Sequence, residues 1–200
     1  MEQVRSFIAI ELPDELKLGL ARLEARLKTG HQTGVKWVDP SSIHLTLKFL
    51  GSIAVDRISE ITEAMEAAAR GISPFRLEAK DLGGFPNPRR VQVVWVGIGG
   101  ELDKLSQLQQ HLDSNLTRLG FASERRPFTP HLTLARLGNR ASSNERQGLG
   151  QLIADTRFEG GYTIRVDAMN LMRSQLTREG ATHSRISSAR LKNYCQKPTY

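Results

Sequence analysis

Two histidines and two threonines stand in one short pattern that the chain spells twice. "HLTLKFLG" covers residues 44–51 and "HLTLARLG" covers residues 131–138, identical at six of their eight positions. Each copy sets a threonine two residues after a histidine: Thr46 after His44, Thr133 after His131. A neutral imidazole can take a proton from an attacking water or hydroxyl, and a charged one can give a proton to a leaving oxygen. Each role is worth about 10²–10⁴ in rate. Threonine hydroxyls can donate hydrogen bonds to non-bridging phosphate oxygens, where charge builds in the transition state. The set suits phosphodiester chemistry. That chemistry needs no metal or other cofactor, and neither histidine is followed by a second His or a carboxylate at ligand spacing.

Side chains alternate along a strand. His44, Thr46 and Lys48 are therefore expected on one face, with Leu45 and Leu47 in the core. His131, Thr133 and Ala135 likewise oppose Leu132 and Leu134. The elements around these strands alternate as well. "VRSFIAIEL" (4–12) reads as a strand. Pro13 and Asp14 open a helix along Leu16, Leu20, Leu23 and Leu27, with Gly30 suited to its end. "VKWV" (35–38) reads as a short strand before the first motif. Residues 55–70 read as a helix with Val55, Ile58, Ile61, Met65 and Ala69 inward and Gly71 ending it. Strands follow at 75–82 and 91–98, separated by the turn "GGFPNPRR". A leucine-striped helix spans 101–119, from Leu102 to Leu119, and stops at Gly120. Beyond the second motif, Ser142 and Glu145 form a capping box for a helix to about 154. Strands near 162–174 and 183–191 close the chain. The order strand, helix, motif strand, helix, strand thus occurs in each half. This points to an internal duplication, with two similar α+β lobes packed as one unit and two imidazoles facing one cleft.

The 200 residues carry 39% hydrophobic and 24% charged side chains, the balance of a soluble globular protein. No apolar run approaches the ~18–20 residues of a membrane span. The first apolar run is too short for a secretory signal, so a cytoplasmic protein with no membrane partner is expected. A monomer is expected too. The net charge of +7 favours a polyanionic partner, nucleic acid above all. Arginines pair at Arg89–Arg90 and Arg125–Arg126. The single cysteine, Cys195, reads as a spectator.

The motifs and their flanks ("FIAIELP", "VKWVDPSSIHLTLKFLG", "GGFPNPRRVQVVWVGI", "RRPFTPHLTLARLG" and "SQLTREGA") resemble the two-histidine (2H) phosphoesterases. Within them they resemble the RNA 2′,3′-cyclic phosphodiesterases, also called 2′–5′ RNA ligases. The resemblance covers nearly all of residues 1–200, a single domain of two lobes with motifs at 44–47 and 131–134. It implies a bilobal, pseudo-twofold α+β fold with antiparallel sheets lining a central cleft and helices outside. It implies hydrolysis of a 2′,3′-cyclic phosphate at an RNA end to a 2′-phosphate, and a reverse joining to a 5′-hydroxyl without ATP. His44 would then protonate the departing 3′-oxygen and His131 would activate water, with Thr46 and Thr133 at the hydroxyl positions. His183 departs from the pattern, since its position is commonly aromatic, and this argues against a role for it by analogy. Two other readings stand: a 2H enzyme for small cyclic nucleotides or 2′–5′ oligonucleotides, and a non-catalytic RNA- or nucleotide-binding module.

Two further residues are expected at the substrate. Phe7 lies on the strand face away from Ile8 and Ile10, where its ring could stack on a base. Arg136 could contact phosphate, although strict alternation puts it opposite His131, so a bulge or strand end must turn it. Arg126 and Lys48 are expected as solvated charges. Trp37 and Trp95 are expected in the core, "GIGG" (97–100) as a turn, and His31 and His111 at helix surfaces.

Overall fold

The leucine stripes of the helices, the glycines at 71 and 120 and the Ser142 cap follow local rules, and the elements form around them. The computed structural model describes residues 2–28, 34–124, 126–139, 141–176 and 181–192. Among them, in chain order, run β1 (Gln3–Glu11), α1 (Asp14–Leu27), β2 (Val35–Trp37), β3 (His44–Ala54), α2 (Ile58–Ala69), β4 (Phe75–Phe85), β5 (Val93–Gly100), α3 (Leu102–Arg118), β6 (His131–Leu137), α4 (Ser143–Asp155), β7 (Tyr162–Val166), β8 (Ala168–Leu176) and β9 (Ala181–Arg190). Gly30, His31, Arg125 and Cys195 lie outside the described residues.

Helix α1 buries Leu16, Leu20, Leu23 and Leu27, and α3 buries Leu105, Leu108, Leu112 and Leu116. Each of these side chains contributes about 1.5–3 kcal/mol by leaving water. Gly71 and Gly120 take positive φ, 78° and 87°, just beyond α2 and α3, a backbone state that favours glycine. The capping box at α4 forms as expected: Ser142 and Glu145 each bond the other's backbone N–H. Four expectations shift. Val55 belongs to a 3₁₀ turn before α2 and is exposed rather than inward, and Leu102, in the first turn of α3, is exposed too. "GIGG" completes β5 instead of turning. The strand expected over 162–174 breaks at Asp167 into β7 and β8.

The strands form two antiparallel sheets, ordered β3-β1-β8-β9 and β2-β6-β5-β4-β7. The fold is α+β, as the resemblance implied. The sheets are not consecutive halves of the chain, however. Strand β4, expected to close the first half, pairs with β5, while β8 and β9 return from the C-terminal side to extend β1. The duplication survives this exchange, because β3, β1, β8 and β9 correspond in place to β6, β5, β4 and β7. Helices α2 and α3 cover the first sheet, and α1 and α4 cover the second. The two motif strands, β3 and β6, contact each other where the sheets meet.

Candidate active site

Each motif histidine is the first residue of its strand, and each is held in the same way. His44 Nδ1 lies 2.8 Å from the carbonyl oxygen of Ser42, and His131 Nδ1 lies 2.7 Å from that of Thr129. A carbonyl oxygen can only accept, so Nδ1 carries the hydrogen in both rings. The tautomer assigned from these bonds leaves each Nε2 as the atom that gains or loses a proton.

Cross-strand register sets the faces. His44 pairs with Glu11, Thr46 with Ala9 and Phe49 with Phe7. In the second sheet His131 pairs with Gly97, Thr133 with Trp95 and Arg136 with Val93. The leucines between them, Leu45, Leu47, Leu132 and Leu134, are buried under the helices. The histidines and threonines occupy the opposite, open faces, which flank the β3–β6 junction.

Both motif strands carry a bulge at the fourth motif position. On β3 the register slips by one residue at Leu47, between the Ile8–Lys48 and Ala9–Thr46 pairs, and on β6 it slips at Leu134, between Val94–Ala135 and Trp95–Thr133. After a bulge the alternation reverses phase. Lys48, expected beside His44, is instead 7% exposed on the helix side. There it pairs with Asp113 and donates to the Ala122 carbonyl at 2.6 Å. Burial alone would raise the Asp113 carboxyl; hydrogen bonds from Lys48 and Ser123 hold it below its ordinary value. The same slip turns Arg136 onto the open face with His131 and Thr133, exposed to solvent.

Phe7 requires a correction. Its ring is 3% exposed and stacks on His44, with centroids 4.4 Å apart and planes 27° from parallel. His183 meets its edge at 5.0 Å, and Ala9 and Met172 complete a small cluster. Phe7 therefore packs His44 in place and has no free face for a base. The bulge exposes a different ring, Phe49, which is 67% exposed, 6.2 Å from Phe7 and on the same face. Phe49 was legible in one way only: alignment of the two octets puts it in register with Arg136. His183 fills its aromatic-type position with a ring, 5.1 Å from His44 in an edge-on contact.

These neighbours set the protonation of His44. Burial lowers its pKa from 6.5 to about 4, opposed by the Ser42 carbonyl and aided by repulsion from His183. Burial lowers that of His183 as well. Beside His44, the Glu11 carboxylate accepts from Asn170 Nδ2 at 2.6 Å and from the Arg185 guanidinium, Nε at 2.9 Å. On the second sheet, the His131 ring meets Phe85 edge-on at 5.1 Å, and Phe85 lies 5.1 Å from Trp95. Trp95 therefore floors the open face rather than joining the core, while Trp37 packs half-buried against the core. His111 sits half-buried, its Nδ1 3.4 Å from the Ala68 carbonyl. Arg126 is exposed, as expected. Among the described residues no cluster of three His, Cys, Asp or Glu could hold a metal ion, and no helix is long and apolar enough to cross a membrane.

Known proteins resemble this chain in sequence and in fold. A family model for LigT like phosphoesterases matches residues 10–95 and again 97–183, each match containing one motif. The chain is 33% identical to the RNA 2′,3′-cyclic phosphodiesterase of Methanothermobacter thermautotrophicus over 189 residues, 94% of this chain and 100% of that one. It is also 33% identical to the Thermotoga maritima protein of the same name, over 88% of this chain and 90% of the relative. Among solved structures, E. coli LigT complexed with 3′-AMP aligns with a TM-score of 0.74 at 25% identity, covering 96% of this chain and 100% of LigT. The TT0787 protein of Thermus thermophilus aligns with a TM-score of 0.73 at 27% identity, covering 95% and 99%.

Proposed function

Because the chain belongs to the LigT-like phosphoesterase family, we propose that it hydrolyses 2′,3′-cyclic phosphate ends of RNA to 2′-phosphomonoesters, through His44 and His131. The observation that carries this reading is the paired imidazole geometry. Two rings at equivalent positions each bond a carbonyl through Nδ1, and neither Nε2 has a hydrogen-bond partner among the described residues.

In the proposed reaction Nε2 of His131 takes a proton from water as the water oxygen bonds to phosphorus. The P–O3′ bond breaks, and Nε2–H of His44 delivers a proton to O3′. One proton is taken and one given, leaving a 2′-phosphate and a 3′-hydroxyl. Two imidazoles supply both transfers, so the scheme requires no metal ion. Thr46 and Thr133 donate to the non-bridging oxygens, and Arg136, on the same face, offers a charge-assisted contact to a phosphate of the RNA chain. Phe49 offers its exposed ring to a base.

Burial leaves His44 neutral near pH 7 in the empty site. A phosphodiester anion against the ring favours its charged form, so the proton enters with the substrate. A ring that holds this proton weakly gives it up readily to the departing oxygen. With a 5′-hydroxyl in place of water as the nucleophile, the same steps join RNA through a 2′–5′ bond without ATP.

Hydrolysis of an oligoribonucleotide with a 2′,3′-cyclic end, in excess EDTA and followed by phosphorus NMR, tests the proposal. A 2′-phosphate product is expected. His44→Ala and His131→Ala should each lose about 10²–10⁴ in turnover with the fold intact. Unchanged turnover in either variant refutes the acid–base pairing. Cyclic mononucleotides assayed alongside test the reading of a small-nucleotide enzyme, which the 3′-AMP bound to E. coli LigT favours.

A further inference from the structure

One row of the second sheet carries charge that the two imidazoles do not use. Lys36, Arg136, Val93 and Phe85 are direct cross-strand neighbours along β2, β6, β5 and β4. Direct partners share a face, so Lys36 stands on the open face with Arg136, His131 and Thr133. Lys36 and Arg136 are both exposed, and neither makes a hydrogen bond or ion pair among the described residues. Like charges placed directly opposite one another repel. A bound anion between them removes that cost.

Among the described residues the first sheet has no such feature. The position equivalent to Arg136 is Phe49, and β3 lies at its sheet's edge, with no strand in the place that β2 takes beside β6. The turn 86–92, between β4 and β5, begins at the Phe85 end of the charged row and holds Arg89 and Arg90, both exposed. Backbone bonds tie this turn to β4 and β6, Gln92 N–H to the Phe85 carbonyl and Leu137 N–H to the Gln92 carbonyl. Positive charge therefore gathers at one end of one sheet.

That end lies within reach of the chemistry. His131 faces Gly97 and Arg136 faces Val93; four residues at about 3.3 Å each separate the two rows by roughly 13 Å of backbone. The two rows meet through side chains, because the ring of Phe85, whose backbone faces Val93, contacts the His131 ring.

We propose that Lys36, together with Arg136, binds a phosphodiester of the RNA chain 5′ to the cyclic end, so that a chain end is preferred to a cyclic mononucleotide. This rests on the cyclic phosphodiesterase activity proposed above. Lys36→Gln should lower kcat/KM for a short oligoribonucleotide with a 2′,3′-cyclic end about two- to fivefold. It should also flatten the slope of log kcat/KM against log salt by about 0.7, the share of one single-strand phosphate contact. Hydrolysis of 2′,3′-cyclic AMP should not change, and Lys36→Arg should restore the oligonucleotide rate. Lys104→Gln, which removes the same charge from α3, sets the baseline. An equal loss on both substrates, no loss on the oligonucleotide, or an equal effect of Lys104→Gln overturns the assignment. A wild-type protein that turns over neither substrate refutes the activity itself, whereas one that hydrolyses the mononucleotide while Lys36→Gln leaves the chain substrate unaffected overturns only the role of Lys36.

Discussion

The buried imidazole of His44 should make the folded protein sensitive to acid in a defined window. Its folded pKa lies near 4, below the ordinary 6.5. The unfolded chain therefore takes up the proton first, and acid favours unfolding. The contribution is fully present above pH 6.5 and is lost as pH falls through about 4. The gap between these two values sets a ceiling of about 3 kcal/mol. Linkage gives a loss of about 1 kcal/mol near pH 5.5, which grows to most of that ceiling near pH 4. The perturbation is His44→Gln, which removes the titrating group. Urea unfolding of both proteins at several pH values between about 7 and 4 supplies the two stability curves. Carboxylates such as Asp113 titrate in both proteins, so the difference between the curves isolates His44. The wild-type curve should fall below the variant's by these amounts as pH drops. Parallel curves would show that the ring meets water freely, and the account of its burial under Phe7 and His183 would fail.

Three further outcomes follow from the geometry. Phe7→Leu opens the cover over His44, so a proton NMR titration should find the His44 pKa above its wild-type value; an unmoved titration contradicts the stacking as the cause. Phe49→Ala should leave stability within about 0.5 kcal/mol, because the ring is exposed. It should lower kcat/KM for a cyclic-ended substrate roughly fivefold to a hundredfold, the range of one stacked base, and steady-state kinetics unaffected by the change would remove Phe49 from the site. Asp113→Ala strands Lys48 in the interior with a carbonyl as its remaining partner, and should cost about 3–5 kcal/mol in denaturant unfolding.

How much of this was legible in the sequence depends on the range of the interaction involved. Helix stripes, glycine stops, the Ser142 capping box and the alternation of His44, Leu45, Thr46 and Leu47 are local. They depend on residues within a turn or two, and among the described residues they appear where the pattern puts them, Val55 and Leu102 excepted. The two octets also mark His44, Thr46, His131 and Thr133 as equivalent, and register puts each pair at matching positions. Alternation alone shows that Arg136 needs a bulge to reach the histidine face, but the octet does not contain the strand that creates it.

The rest depends on partners distant in the chain. The slips at Leu47 and Leu134 arise where β3 meets β1 and β6 meets β5, and they send Lys48 inward while bringing Phe49 and Arg136 out. The return of β8 and β9 to β1 brings His183 and Met172 onto Phe7, which turns an expected base platform into the cover of the His44 ring and lowers that ring's affinity for a proton. Strand β2 crosses to the second sheet, and only there does Lys36 stand against Arg136. The sequence determined which side chains could do chemistry and which face each would share with its neighbours two residues away. Tertiary structure alone decided which of them meet water, since desolvation and cross-strand register are set by atoms that the chain brings together from far apart.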